Sequence, residues 1–99
     1  LHTGSWCEAL AAGNAAAAAA EFDRIARAAA QAGNAGLEVH AGHGLDFLTA
    51  EKIAGLAEIA ELNIGHFLIG EAIFSGLDTA VRQMRAAMDR GRSFSGAAP

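Results

Sequence analysis

The chain has 99 residues, 53% of them hydrophobic, and a formal charge of −4. With seven Lys+Arg against eleven Asp+Glu and no basic stripe, it lacks the electrostatic footprint of a nucleic-acid binder. Its single cysteine, Cys7, excludes an internal disulfide and fits a reducing, cytoplasmic setting, and its apolar run Ala15–Ala20 falls far short of the ~20 residues of a membrane span.

In chain order, Leu1-His2-Thr3 is the first extended candidate, followed by the small polar turn Thr3-Gly4-Ser5. Cys7, beside Trp6, is read as packing filler rather than a nucleophile. Asn14 is placed to cap a helix that Gly33 ends. Within it Phe22, Ile25, Ala26 and Ala29 recur at helical spacing, with Glu21, Asp23, Arg24 and Arg27 on the other face. Leu37–Ala41 follows as a strand, and its turn runs Ala41-Gly42-His43-Gly44-Leu45-Asp46. Ile53, Leu56, Ala57 and Ala60 form the next helical stripe, with Thr49 as its cap. Glu61–Ile64 is the third strand, turning at Gly65-His66 into an apolar stretch, His66–Phe74. Leu77, Val81, Met84 and Met88 form the last stripe, and Gly91–Pro99 reads as a frayed, flexible tail.

The alternation of strands and helices indicates an α/β fold with parallel strands. Three βα units make a poor domain by themselves, because parallel strands want neighbours and helices on both sides. The chain begins at Leu1 and its only methionines are Met84 and Met88, so it is read as a slice of a barrel that continues upstream. A doubly wound fold of three strands is the alternative.

In a βα barrel the turns after the strands build the active site. His43, between two glycines, would then stand at the barrel mouth, and an imidazole suits proton transfer near neutrality. The same placement also suits a solvent-exposed turn histidine. Gly65-His66 opens a helix, whose free backbone N–H groups bind anions, and barrels often hold phosphate after their last strands with a short extra helix. His66–Phe74 has the size of that helix, although an ordinary strand-to-helix turn fits too. His40 and His43 at spacing three raise the question of metal, but no third cluster of ligands accompanies them. His40 and His2 are therefore read as packed or barrel-lining, and Asp46 equally as turn former or site residue.

Two motifs carry a resemblance over Leu1 to about Arg90: His40-Ala-Gly-His43-Gly-Leu, and Glu61-Leu-Asn-Ile-Gly-His66 with the following Leu68-Ile69-Gly70-Glu71-Ala72. Together with Leu1-His-Thr-Gly4 they resemble the C-terminal region of the pyridoxine 5′-phosphate synthase family. That resemblance implies a (β/α)₈ TIM barrel, here its strands six to eight with an extra short helix after strand eight, in one portion at residues 1–90. It implies condensation of 3-amino-2-oxopropyl phosphate with 1-deoxy-D-xylulose 5-phosphate to pyridoxine 5′-phosphate, in a homo-octamer that uses no metal or organic cofactor. By position it makes His43 the proton donor, Gly44 a backbone contact to the amino-ketone, and Gly65 and His66 the binders of its phosphate. The family's other acid/base residues, a histidine and a glutamate of early strands, would lie upstream of Leu1, as would its strand-six glutamate. Asp46 stands where asparagine is often expected. The chain by itself is thus expected to be inactive: a fragment of the enzyme, or a phosphate-binding module without chemistry. A third reading, another phosphate-handling barrel, requires the two-motif match to be coincidence.

Overall fold

The computed structural model describes residues 1–97. Its elements are α1 (Gly4–Ala11), α2 (Ala15–Asn34), β1 (Val39–Gly42), α3 (Phe47–Ala54), β2 (Ile59–Asn63), α4 (His66–Ser75) and α5 (Leu77–Ala97). The strands β1 and β2 pair in parallel, with Val39 opposite Ile59 and His40 opposite Glu61 after a bulge. Leu1–Thr3 adds a third extended segment on the other side of β1. It is held by a parallel bridge between His2 and Gly42 and by Thr3 N–H donating to the Gly42 carbonyl at 2.8 Å. The expected order of parallel neighbours holds, each segment leading into a helix.

Side-chain alternation divides the sheet. Val39, Ala41 and Ile59 are buried in a core with Trp6, Ile25, Ala29 and Ile53. On the opposite face His40 is half-exposed and Glu61 and Asn63 are exposed. Helices cover one face, and the turns that carry the sequence-predicted site residues stand at the end of the sheet.

Several boundaries differ from the sequence expectation. The segment after Thr3 is a helix, α1, rather than a mere turn; it lacks a side-chain cap that would mark its start in the sequence. Asn14 does cap α2, accepting Ala17 N–H at 3.1 Å, but the helix passes Gly33 and ends at Asn34. The stop is a Schellman motif: Leu37 N–H bonds the Ala32 carbonyl, and Gly36, at φ +79°, bonds Gly33. The stripe Ile53, Leu56, Ala57, Ala60 breaks after Ala54, because Gly55 closes α3 and Ala60 belongs to β2. The N-cap of α3 is Asp46, not Thr49. Thr49 completes a capping box: it donates its N–H to Asp46 Oδ1 at 2.9 Å and accepts Asp46 N–H at 2.7 Å.

In α5 the buried face is Ala80, Met84 and Ala87, while Leu77 and Val81 of the expected stripe are exposed. Small residues let α5 approach α3 closely: a Cβ on the buried Gly91 would collide with the Glu51 carbonyl. Arg90 reaches Glu51 at 2.6 Å, and Arg92 donates to the Ala57 and Ile59 carbonyls. The helix thus continues to Ala97 through most of the stretch expected to be a tail, and residues 98 and 99 lie outside the described residues. No described helix is long and apolar enough to cross a membrane.

Candidate active site

The turn after β1 carries His43 at φ 88°, the only positive φ outside glycine among the described residues. Such a conformation costs a non-glycine residue roughly 1–2 kcal/mol, so its surroundings must hold it. The buried Thr3 does so. Its hydroxyl lies 2.9 Å from the Gly42 carbonyl and 2.7 Å from the His43 carbonyl, its one proton shared between them. Gly44 follows at φ +79°, a conformation that glycine adopts without strain. The Asp46 cap then starts α3 and fixes the far end of the turn.

The His43 ring stacks on His2, with centroids 4.4 Å apart and planes inclined by 25°. Beneath the turn, Cys7 Sγ lies 3.9 Å from the His43 carbonyl, a weak donor contact. Burial pushes the Cys7 thiol up, outweighing the Thr49 hydrogen bond that lowers it; the charge of Asp46 adds to the rise, and a smaller Thr3 hydrogen bond opposes it. A raised thiol disfavours the thiolate, in line with the sequence reading of Cys7 as packing filler.

Gly65 is the N-cap of α4 and supplies no side-chain cap. The first intrahelical bond runs from Ile69 N–H to the Gly65 carbonyl, so the N–H groups at the start of the helix are free for a ligand. The dipole of the ten-residue helix favours an anion there. Phe67 packs edge-on against Phe47 at 4.8 Å, tying the start of α4 to the start of α3. That contact brings the two turns together. His43, Gly44, Gly65 and His66 all line one cleft of about 1220 Å³, which His2 and Asn63 also border. All four sequence-predicted site residues therefore share a single cavity.

His40 also faces this cleft, but both its nitrogens are engaged. Nε2 lies 2.8 Å from Glu38 and Nδ1 3.2 Å from Glu61. The Glu38 hydrogen bond, with the charges of Glu61 and Glu38, raises His40 above the ordinary imidazole value against a smaller desolvation effect. Among the described residues no group of three or more His, Cys, Asp or Glu is arranged to hold a metal ion. Sequence reasoning missed Thr3 as the clamp on the His43 backbone and His2 as the partner of its ring. The available signal was their position at the end of the extended segment that neighbours β1.

The family described as pyridoxal phosphate biosynthesis protein PdxJ matches residues 1–90. Pyridoxine 5′-phosphate synthase of Xanthobacter autotrophicus is 60% identical over 96 residues, which are 97% of this chain and 37% of that protein. The enzyme of the same name from Bradyrhizobium sp. strain ORS 278 is 63% identical over 92 residues, 93% of this chain and 36% of the relative. That from Caulobacter sp. strain K31 is 55% identical over 92 residues, with 93% and 37% covered. The chain thus spans just over a third of the length of the curated relatives it matches.

Proposed function

Because the chain belongs to the pyridoxal phosphate biosynthesis family PdxJ, we propose that it is the C-terminal portion of a pyridoxine 5′-phosphate synthase. In this reading it supplies strands six to eight of a (β/α)₈ barrel and part of the active site. The observation that carries the reading is the convergence of the His43 turn and the Gly65-His66 helix start on one cleft. The barrel is supported by three parallel extended segments in chain order and by a sheet whose helices cover one face. Parallel sheets bury both faces, so the side bearing His40 and Glu61 becomes the barrel interior.

The reaction proposed is condensation of 3-amino-2-oxopropyl phosphate with 1-deoxy-D-xylulose 5-phosphate, releasing inorganic phosphate and water as pyridoxine 5′-phosphate forms. Ring closure moves several protons and expels phosphate and water, and departure of a hydroxyl as water requires a proton donor. His43 donates protons from a turn clamped by Thr3. The flexible-φ backbone at Gly44 lies beside the amino-ketone. The phosphate of that substrate sits on the free N–H groups at Gly65 and His66, where the α4 dipole favours its charge. No metal or organic cofactor enters this scheme. The histidine and glutamate that complete the acid/base set come from earlier strands, so the 99-residue chain alone is inactive. The intact enzyme is a cytoplasmic homo-octamer whose partners are small phosphorylated molecules.

The test is a full-length chimaera in which this chain replaces the matched stretch of the Xanthobacter autotrophicus enzyme. There His43→Asn keeps a hydrogen-bonding group but cannot shuttle protons. It should lower kcat by about 10²-fold or more, while calorimetry still detects substrate binding. Near-wild-type turnover would remove His43 from the chemistry.

A further inference from the structure

We propose that His2 is a positioning residue for His43, restricting the catalytic ring to one orientation by stacking on its face. The inference rests on the reading of His43 as the proton donor. The two rings lie at 4.4 Å and within 25° of parallel, so His2 occupies one face of the His43 imidazole. Rotation of His43 about its terminal side-chain torsion, which is intrinsically broad, would break this contact.

His2 is itself fixed at two points. Its backbone pairs with Gly42, one residue before His43. Its Nδ1 accepts the Gly4 N–H at 3.3 Å, which leaves the proton of the neutral ring on Nε2. Gly4 makes room for the stack. A Cβ there would stand 2.6 Å from His2 Cε1 and 2.7 Å from His43 Cδ2. Two consecutive residues thus restrain His43 together, Thr3 holding its carbonyl and His2 its ring. His40 cannot substitute, because Glu38 and Glu61 engage both its nitrogens. A donor in a wide cleft needs such a restraint, since a misplacement of about 1 Å can cost about 10²-fold in rate.

Three variants in the chimaera separate the ring contact from the Nδ1 acceptor and from general folding. His2→Ala removes both, His2→Asn keeps an acceptor without the ring, and His2→Phe keeps a stacking ring without nitrogens. Thermal melts report the integrity of each. His2→Ala and His2→Asn should lower kcat by about 10- to 100-fold with KM for 3-amino-2-oxopropyl phosphate changed by less than about threefold, while His2→Phe should recover most of the lost kcat. Wild-type kcat in a folded His2→Asn or His2→Ala variant would overturn the proposal. So would a folded His2→Phe variant as slow as His2→Asn, since the needed group would then be the nitrogen. His43→Asn, measured alongside, separates the premises. If it is fast, the donor assignment fails, and the positioning role with it. If it is slow while His2→Asn is fast, only the positioning role fails.

Discussion

At the residue scale, the histidines of one short segment are assigned different work by their surroundings. His43 has its backbone held by Thr3 and its ring by His2, which leaves it in the open cleft with no carboxylate among the described residues paired to it. His40, three residues earlier, lies between Glu38 and Glu61 and holds its proton more tightly than an ordinary imidazole. The sign of its effect on stability follows from linkage. The favourable contribution is complete below the unfolded value of about 6.5 and is lost as the pH rises through the raised folded value. In the chimaera, selectively labelled histidine spectra should place the His40 titration midpoint above about 6.5, and Glu38→Gln should bring it down. An unchanged midpoint in Glu38→Gln would show that the Glu38 contact is not formed in solution. The resonance is assigned by its loss in His40→Gln. The sequence read His40 as packed or barrel-lining; the carboxylate on β2 that it meets depends on the register of the pairing.

At the element scale, the starts of α3 and α4 matter most, since both open on the cleft. The α3 start is a closed capping box, with Asp46 Oδ1 accepting from Thr49 N–H and the Thr49 hydroxyl oxygen accepting in return. Asp46→Ala removes the cap and should cost about 1 kcal/mol in chemical unfolding. Asp46→Asn should restore most of it, because the asparagine amide oxygen also accepts. Equal losses in the two variants would give the carboxylate charge a larger part than the cap. The α4 start is the opposite case, uncapped and open. A Cβ at Gly65 meets nothing within 4 Å, and φ −127° is open to any residue. Gly65→Val should therefore fold, yet obstruct a phosphate approaching the helix start. We expect its affinity for 3-amino-2-oxopropyl phosphate to fall more than tenfold, about 1.4 kcal/mol or more. Unchanged affinity would place the phosphate elsewhere.

At the scale of the whole molecule, the 99-residue chain leaves much apolar surface uncovered. Ile69, Ile73 and Phe74 of α4 are 64%, 78% and 88% exposed, and Leu48 of α3 is 76% exposed. The sheet has an open face and unpaired edges. By itself the chain should self-associate or bind apolar dyes rather than sediment as a stable monomer at micromolar concentration. A sharp cooperative melt of a monomer would refute this. The sequence alone determined the α/β alternation, the Asn14 cap, and the two turns that bear His43 and Gly65-His66, because periodicity and capping act over a few residues. It also carried the family, since two spaced motifs leave little room for coincidence. Only the tertiary structure decided that α3 stops at Gly55 so that Ile59 can enter β2. It alone decided that α5 buries alanines rather than Leu77 and Val81, because a close crossing against α3 rewards small side chains. The His2–His43 stack and the Thr3 clamp likewise join residues far apart in the chain. No local pattern encodes such contacts: they exist only once Leu1–Thr3 lies beside β1.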